Sequence, residues 1–336
     1  MGEELGVLGE PITSLQNAVV KRAAGLRVRK FREREGAFLA EGADLVAAGI
    51  AAGHRPQVVF VRCGSAAAAA AVGGDPGGAT RPDDGAVLPA AQSAPVPAAL
   101  AGLVVYPVAD RVAAKISTLE TAPDVMAVFP RPARVPLVAL RGAEQGEEGA
   151  AGAGAPEPAG PGTLVVYADR IADPGNMGTL LRAAAAFGAA ALVAAPGSVD
   201  LFGPKTVRAS MGAVFALPLY QDIGLAEVVA RLAMERVYGL VAHGGVPLGD
   251  AELFRPAVLC VGAERAGLAS ETLAQVTEVV TIELAPAPSA ARAAAGRPPA
   301  VESLNAGVAG AIALYEFARR GRAAADRPAG PAPEKG

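Results

Sequence analysis

Three apolar runs, each leading into a loop that joins glycine or asparagine to a charged side chain, narrow the folds open to this 336-residue chain. Leu164-Val165-Val166-Tyr167 shows no polar alternation, as expected of a parallel strand covered on both faces. Ala257-Val258-Leu259-Cys260-Val261 reads the same way, and Val279-Val280-Thr281-Ile282 is a third candidate. Parallel strands require long crossovers, usually helical. Open α/β sheets gather their ligands outside the carboxyl ends of such strands. The chemistry of this chain is therefore expected in the loops after these three runs.

The first loop is Asp173-Pro174-Gly175-Asn176-Met177-Gly178-Thr179-Leu180-Leu181-Arg182, a Pro-Gly turn followed by a helix ending near Gly188. Asn176 is the candidate N-cap, since a short polar side chain accepts from a free first-turn amide. At about 100° per residue, Leu180, Ala184 and Phe187 share one face, and Arg182 projects from roughly the other side. The second loop, Gly262-Ala263-Glu264-Arg265-Ala266-Gly267-Leu268, brings glycines and a carboxylate to a strand end, where glycine permits close backbone approach. The third run continues to Ser303-Leu304-Asn305 on a helix, where Leu304, Val308, Ala311 and Tyr315 have the spacing of a buried stripe. That helix is expected to end at Arg319-Arg320 before Gly321. Further strand candidates are Val58–Val61, Ala191–Ala194 and Tyr238–Ala242, and His243, alone after the last of these, is given no catalytic role.

Residues 11–130 read as a smaller α/β domain. Near its start Lys21, Arg22, Arg27, Arg29, Lys30, Arg32 and Arg34 face the single acid Glu33. A charge run is more often a solvated helix face. Here the excess of base in a chain of net charge −3 favours RNA phosphate contact, with Lys21, Arg22, Arg29, Lys30 and Arg32 as candidates. Lys205 and Arg208, leading into Ala209-Ser210-Met211-Gly212-Ala213, are further candidates, a solvated structural role being the alternative. Residues 66–97 read as a low-complexity insertion. Residues 131–162, acidic and rich in glycine, alanine and proline, read as a flexible linker, and 323–336 as a disordered tail.

Cys63 and Cys260 lack zinc or disulfide spacing, so no metal site is expected. The chain shows no signal-peptide pattern, and its longest apolar run, 183–195, is too short to span a bilayer. A cytoplasmic protein with no membrane partner is expected. A nicotinamide oxidoreductase would need GxGxxG after a first strand and an acid about twenty residues on. Neither is present; Gly152-Ala153-Gly154 has no strand leading into it.

Asp173 to Arg182 with Phe187-Gly188, Gly262 to Leu268, and Ser303-Leu304-Asn305 stand in an order that resembles motifs 1 to 3 of the SpoU (TrmH-like) branch of the SPOUT methyltransferases. Ser14-Leu15-Gln16-Asn17, Lys21 and Phe38 to Gly42 resemble the RNA-gripping domain that precedes many of these enzymes, with an L7Ae/L30e-like α/β fold. The resemblance implies a trefoil-knotted parallel sheet over residues 163–322, a topology that periodicity alone never suggests. It further implies a homodimer, S-adenosylmethionine as methyl donor, and transfer to a ribose 2′-hydroxyl of RNA, 23S ribosomal RNA before transfer RNA. By the same resemblance Asn176, Arg182, Glu264, Ser303 and Asn305 are catalytic, and the backbone at Gly262, Ile282 and Leu304 surrounds the donor. Three departures stand out: Glu283-Leu284 replaces the usual Pro-Met, the loop 285–300 is long and carries Arg292 and Arg297, and Gly307 replaces a frequent serine. A non-catalytic RNA-binding protein that keeps the knot is the competing reading.

Overall fold

The computed structural model describes residues 11–64, 103–132, 135–141, 162–284 and 303–325. The insertion expected at 66–97, the loop 285–300 and the tail beyond 325 lie outside these residues. Two compact units are present, one formed by residues up to 133 together with Asp200–Ala216, the other by 134–199 and 217 onward.

The first unit contains α1 (Ala18–Gly25), α2 (Arg29–Glu35), β1 (Ala37–Glu41), α3 (Ala43–Ala51), β2 (Val58–Arg62), β3 (Val105–Val108), α4 (Asp110–Ile116) and β4 (Val125–Pro130). Its sheet has the order β1-β4-β2-β3, with β2 and β3 parallel and the other pairs antiparallel. Asn17 caps α1 by accepting from the Val19 amide at 2.9 Å. Gly36 closes α2 at φ 58°, a left-handed conformation in which glycine avoids the Cβ clash.

In the second unit a 3-10 turn (Leu137–Arg141) precedes β5 (Leu164–Asp169), α5 (Pro174–Ala186) and β6 (Ala191–Ala194). The chain then contributes α6 (Pro204–Ala209) and a 3-10 turn (Ala213–Phe215) to the first unit. It returns with β7 (Leu219–Gln221), α7 (Leu225–Leu232), β8 (Val237–Val241), β9 (Val246–Pro247), β10 (Ala257–Gly262), α8 (Ser270–Leu273), β11 (Glu278–Thr281) and α9 (Ala306–Ala325). All seven strands are parallel in the order β7-β6-β5-β10-β8-β11-β9, so β10 is inserted between β5 and the earlier β8. Every residue of β5, β6 and β10 is buried, which is why these runs read as continuous apolar stretches.

Several expectations are corrected. Within the span 163–322, residues 200–216 pack with the first unit. The linker expected from 131 holds a structured turn: Leu137 and Leu140 enter the core beside Leu225, Val228 and Leu232 of α7. The acidic run just after this short apolar stretch hid it. The stripe on α9 is displaced as well. Ala306, Ala313, Leu314 and Phe317 are buried, whereas Val308, Ile312 and Tyr315 are 44%, 37% and 48% exposed. The N-terminal half of the buried face is built from small residues, with Leu314 and Phe317 following: a Cβ at Gly307 would lie 2.9 Å from the Asn176 carbonyl oxygen, and one at Gly310 2.5 Å from Leu180. Small residues carry little hydropathy, so the stripe that reads loudest is not the one that packs. The helix also runs past Gly321 to Ala325.

Two buried ion pairs hold 200–216 in the first unit. Arg32, 3% exposed, donates to Asp200 Oδ2 from Nη2 at 2.5 Å and from Nε at 3.1 Å, and to the Leu26 carbonyl at 2.6 Å. Glu41, also buried, accepts from Ser117 Oγ, Thr118 N and Thr118 Oγ1, each at 2.7 Å, and from Arg208. A buried charge left without its partner costs about 3–5 kcal/mol, whereas replacing both partners with apolar groups is often neutral. Asp200→Ala is therefore expected to lower the unfolding free energy by about 3–5 kcal/mol in urea denaturation, and Arg32→Met with Asp200→Leu to recover most of it.

Candidate active site at the carboxyl ends of the parallel strands

β5 delivers Asp169, 2% exposed, to the rim of the sheet. Asp173 caps α5 by accepting from the Asn176 amide at 2.8 Å, and Pro174 occupies the first helical turn. The cap is thus Asp173, not Asn176. Because Asp173 takes that amide, the Asn176 side chain is free for other partners. Its Nδ2 donates to Glu264 Oε1, and its Oδ1 accepts from Asn305 Nδ2 at 2.6 Å. Asn305 Oδ1 in turn accepts from the Val308 amide at 3.2 Å, as an N-cap does. One carboxamide therefore links three segments separated by 88 and 129 positions in the chain.

The loop after β10 is closed by reciprocal backbone bonds between Ala263 and Gly267 at 3.1 and 2.9 Å. A Cβ at Gly262 would stand 2.3 Å from the Gly267 carbonyl carbon, and Gly267 has φ 65°, so both positions require glycine. Asp169 Oδ2 accepts from the Ala269 amide at 2.7 Å and pins the exit of this loop to β5. Burial pushes the neighbouring Cys260 thiol well above its ordinary range and Tyr167 up to about 12, so neither is poised to lose a proton near neutrality.

The loops after β8, β10 and β11 and the start of α9 enclose a cavity of about 450 Å³. Gly262, Ile282 and Leu304 line it, as do Glu264 and Ser303. Sequence reasoning missed Leu240, Leu284, Ala306 and Ala309 in its wall, gave His243 no role, and overlooked Asp169. A polar residue ending a fully buried strand was the available signal for Asp169. The five catalytic candidates are not all brought together. Asn176, Glu264 and Asn305 are bonded in a chain and Ser303 shares the cavity, but Arg182 lies outside its wall. Arg182 is exposed on α5, six residues beyond Asn176 and so about 240° round the helix.

The RNA candidates also divide. Lys21, Lys30 and Lys205 are exposed. Arg22 donates to Glu35 at 2.9 Å and Gln57 at 2.7 Å, and Arg29 to Glu33 at 2.8 Å. Arg32 is removed from the set because it is buried on Asp200, and Arg208 because Glu41 and Thr118 occupy it. Among the described residues no helix is long and apolar enough to cross a membrane.

A parallel α/β sheet with glycine loops and a ligand-sized cavity at its carboxyl edge defines a class of small-molecule-binding α/β proteins. Residues 163–315 match the model of the SpoU rRNA Methylase family and residues 17–127 that of the MRM3-like substrate binding domain. Over residues 163–315 the chain is thus similar to the SpoU rRNA methylase family. It is 33% identical over 164 residues to a 23S rRNA (uridine(2479)-2′-O)-methyltransferase of Streptomyces viridochromogenes, covering 47% of this chain and 53% of that protein. Over 155 residues it is 32% identical to a 23S rRNA (guanosine(2553)-2′-O)-methyltransferase of Bacillus subtilis, covering 46% and 57%. The chain thus spans about half the length of these curated relatives. An AdoMet-bound rRNA methyltransferase from Sinorhizobium meliloti superposes with a TM-score of 0.66 at 25% identity, over 94% of this chain and 98% of that one.

Asp169→Ala removes the acceptor that holds Ala269. Loss of one charge-assisted bond is expected to raise amide hydrogen exchange across 263–269 by an amount equivalent to about 1–3 kcal/mol, with the strands keeping their protection.

Proposed function

We propose that this chain transfers a methyl group from S-adenosylmethionine to a ribose 2′-hydroxyl of RNA, ribosomal RNA before transfer RNA. The observation that carries the reading is the Glu264–Asn176–Asn305 chain, whose carboxylate end lines the cavity. The fit to the donor is supported by a cavity that combines apolar walls at Leu240, Ile282 and Leu304 with a glycine-lined rim at Gly262 and Gly267. Its size lies in the ordinary range of small-molecule sites, about 300–1,000 Å³. The backbone at Gly262, Ile282 and Leu304 would hold the donor, which supplies an electrophilic methyl when bound. The preference for ribosomal RNA is supported by the named activities of the two relatives and by the match to a substrate binding domain.

The residues have separate tasks. Ser303 and Asn305 orient the ribose, and Asn176 and Glu264 fix Asn305 in place. Placement of this kind supplies a large part of a barrier reduction. Arg182 holds the phosphate next to the target ribose and stabilises the developing 2′-alkoxide. A guanidinium keeps its proton in proteins, so the hydroxyl proton leaves to that phosphate or to water. The domain preceding the methylase region grips RNA through an L7Ae/L30e-like fold and its exposed lysines. The insertion of β10 between β5 and β8 supports a trefoil knot. The exposed stripe Val308, Ile312 and Tyr315 on α9 supports a homodimer formed on that face, next to Arg182's helix. The enzyme works in the cytoplasm, where its RNA is.

Incubation with ribosomal RNA and transfer RNA and a labelled donor, followed by mapping of the labelled ribose, tests the reading. Transfer to ribosomal RNA is expected, and Arg182→Lys, which keeps the charge and loses the planar fork, is expected to lower kcat about 100-fold across the pH–rate profile. An unchanged profile would contradict the role given to the guanidinium. Absence of transfer to any RNA would favour a non-catalytic RNA-binding protein.

A further inference from the structure

Arg265 and His243 are the only cavity-lining side chains, among the described residues, that can carry positive charge. Both are exposed, and neither has a hydrogen bond or ion pair with any described residue. They sit on loops leaving neighbouring parallel strands. The β10–β8 register pairs Val261 with Leu240, so the two loops leave the sheet at the same level, and His243 and Arg265 line the same cavity. Adjacent strands run about 4.8 Å apart, so the two loops bring these side chains to one stretch of the rim. The one carboxylate in the cavity lining, Glu264, is engaged by Asn176, and Glu283, exposed on the loop after β11 between the lining residues Ile282 and Leu284, makes no direct bond to Arg265 or His243.

The wall elsewhere is apolar at Leu240, Ile282 and Leu304, or neutral at Ser303. A guanidinium and an imidazole on the exposed side of such a cavity, neither bonded to a described residue, offer N–H donors to an anion that arrives from solvent and stays at the mouth. A guanidinium presents several N–H donors in a planar fork suited to phosphate oxygens. We infer that Arg265 and His243 form an anion subsite that takes a phosphodiester of the RNA chain flanking the ribose in the site. This subsite rests on the methyltransferase reading. It adds a second phosphate contact, on the loop after β10, to the one given to Arg182 on α5. The donor's own carboxylate is the competing anion, and the experiment separates the two.

The full chain and its Arg265→Ala, His243→Ala and Arg265→Lys variants are compared in three measurements. S-adenosylmethionine affinity is read by calorimetry, retention of an unmodified 23S rRNA transcript on filters as a function of potassium chloride, and methyl transfer to that transcript. Loss of one charge-assisted contact is expected to weaken RNA binding about tenfold for Arg265→Ala. The slope of log affinity against log salt is expected to shrink by about 0.7, with Arg265→Lys keeping the parent slope. Donor affinity is expected to stay within about twofold of the parent, because the wall that would hold the donor is untouched. A tenfold loss of donor affinity with unchanged RNA binding would overturn the subsite in favour of the donor carboxylate. Unchanged RNA binding and donor affinity would also overturn it, as would a parent that retains no RNA. If the parent transfers no methyl group but RNA retention still depends on Arg265, the catalytic reading fails and the subsite stands.

Discussion

The absence of a Cβ at Gly307 and Gly310 lets α9 lie directly on α5, and the candidate site depends on that contact. A side chain at Gly307 would meet the Asn176 carbonyl oxygen and the Thr179 Cβ, each at 2.9 Å, and the first of these is backbone. Backbone cannot give way as a rotamer can, so any bulk there moves one helix against the other. Asn305 begins the same helix and bonds Asn176 at 2.6 Å, while Leu304, Ala306 and Ala309 of that helix form part of the cavity wall. Helix spacing, polar chain and cavity shape are consequently one variable. The serine that the SpoU pattern leads one to expect at position 307 would not fit the spacing seen here.

Rigidity on the sheet side comes from complementary devices. Asp173 caps α5 and so releases Asn176 to face its two partners. Asp169 secures the loop after β10, which the Ala263–Gly267 bonds already hold narrow. Strand ends fix the origins of these loops, and a few side-chain acceptors fix their exits. A site assembled from strand ends and helix starts is held more closely than one carried on free loops. In the other unit, arginine does structural work. Arg32 and Arg208 complete buried carboxylates, and Arg27 donates to the carbonyls of Ala114 and Ile116 at the end of α4. What remains exposed for a polyanion there includes Lys21, Lys30 and Lys205.

Much of this was legible in the sequence. Buried parallel strands announce themselves as unbroken apolar runs, and 164–167, 191–194 and 257–261 were found for that reason. The glycines at 262 and 267 and the order of the motif loops could be read because they are local. Pairings across a hundred residues leave no local trace, so nothing marked Arg32 for Asp200 or Arg208 for Glu41. A basic residue looks the same in sequence whether it faces solvent or a buried acid. Hydropathy also misled on α9, where Ala306, Gly307 and Gly310 pack in the first half while the larger Val308 and Tyr315 face out. Asp173 and Asn176 both suit an N-cap chemically, and only the chain geometry decides between them.

The central claim is that the spacing of α5 and α9 sets the site. Its most direct test compares donor affinity by calorimetry in Gly307→Ala and in Gly321→Ala, a position on α9 where a Cβ meets nothing within 4 Å. Helical content by circular dichroism serves as the check on folding. The account predicts that Gly307→Ala stays folded but binds S-adenosylmethionine at least about tenfold more weakly, with Gly321→Ala unchanged. Equal donor affinity in a folded Gly307→Ala protein would contradict it.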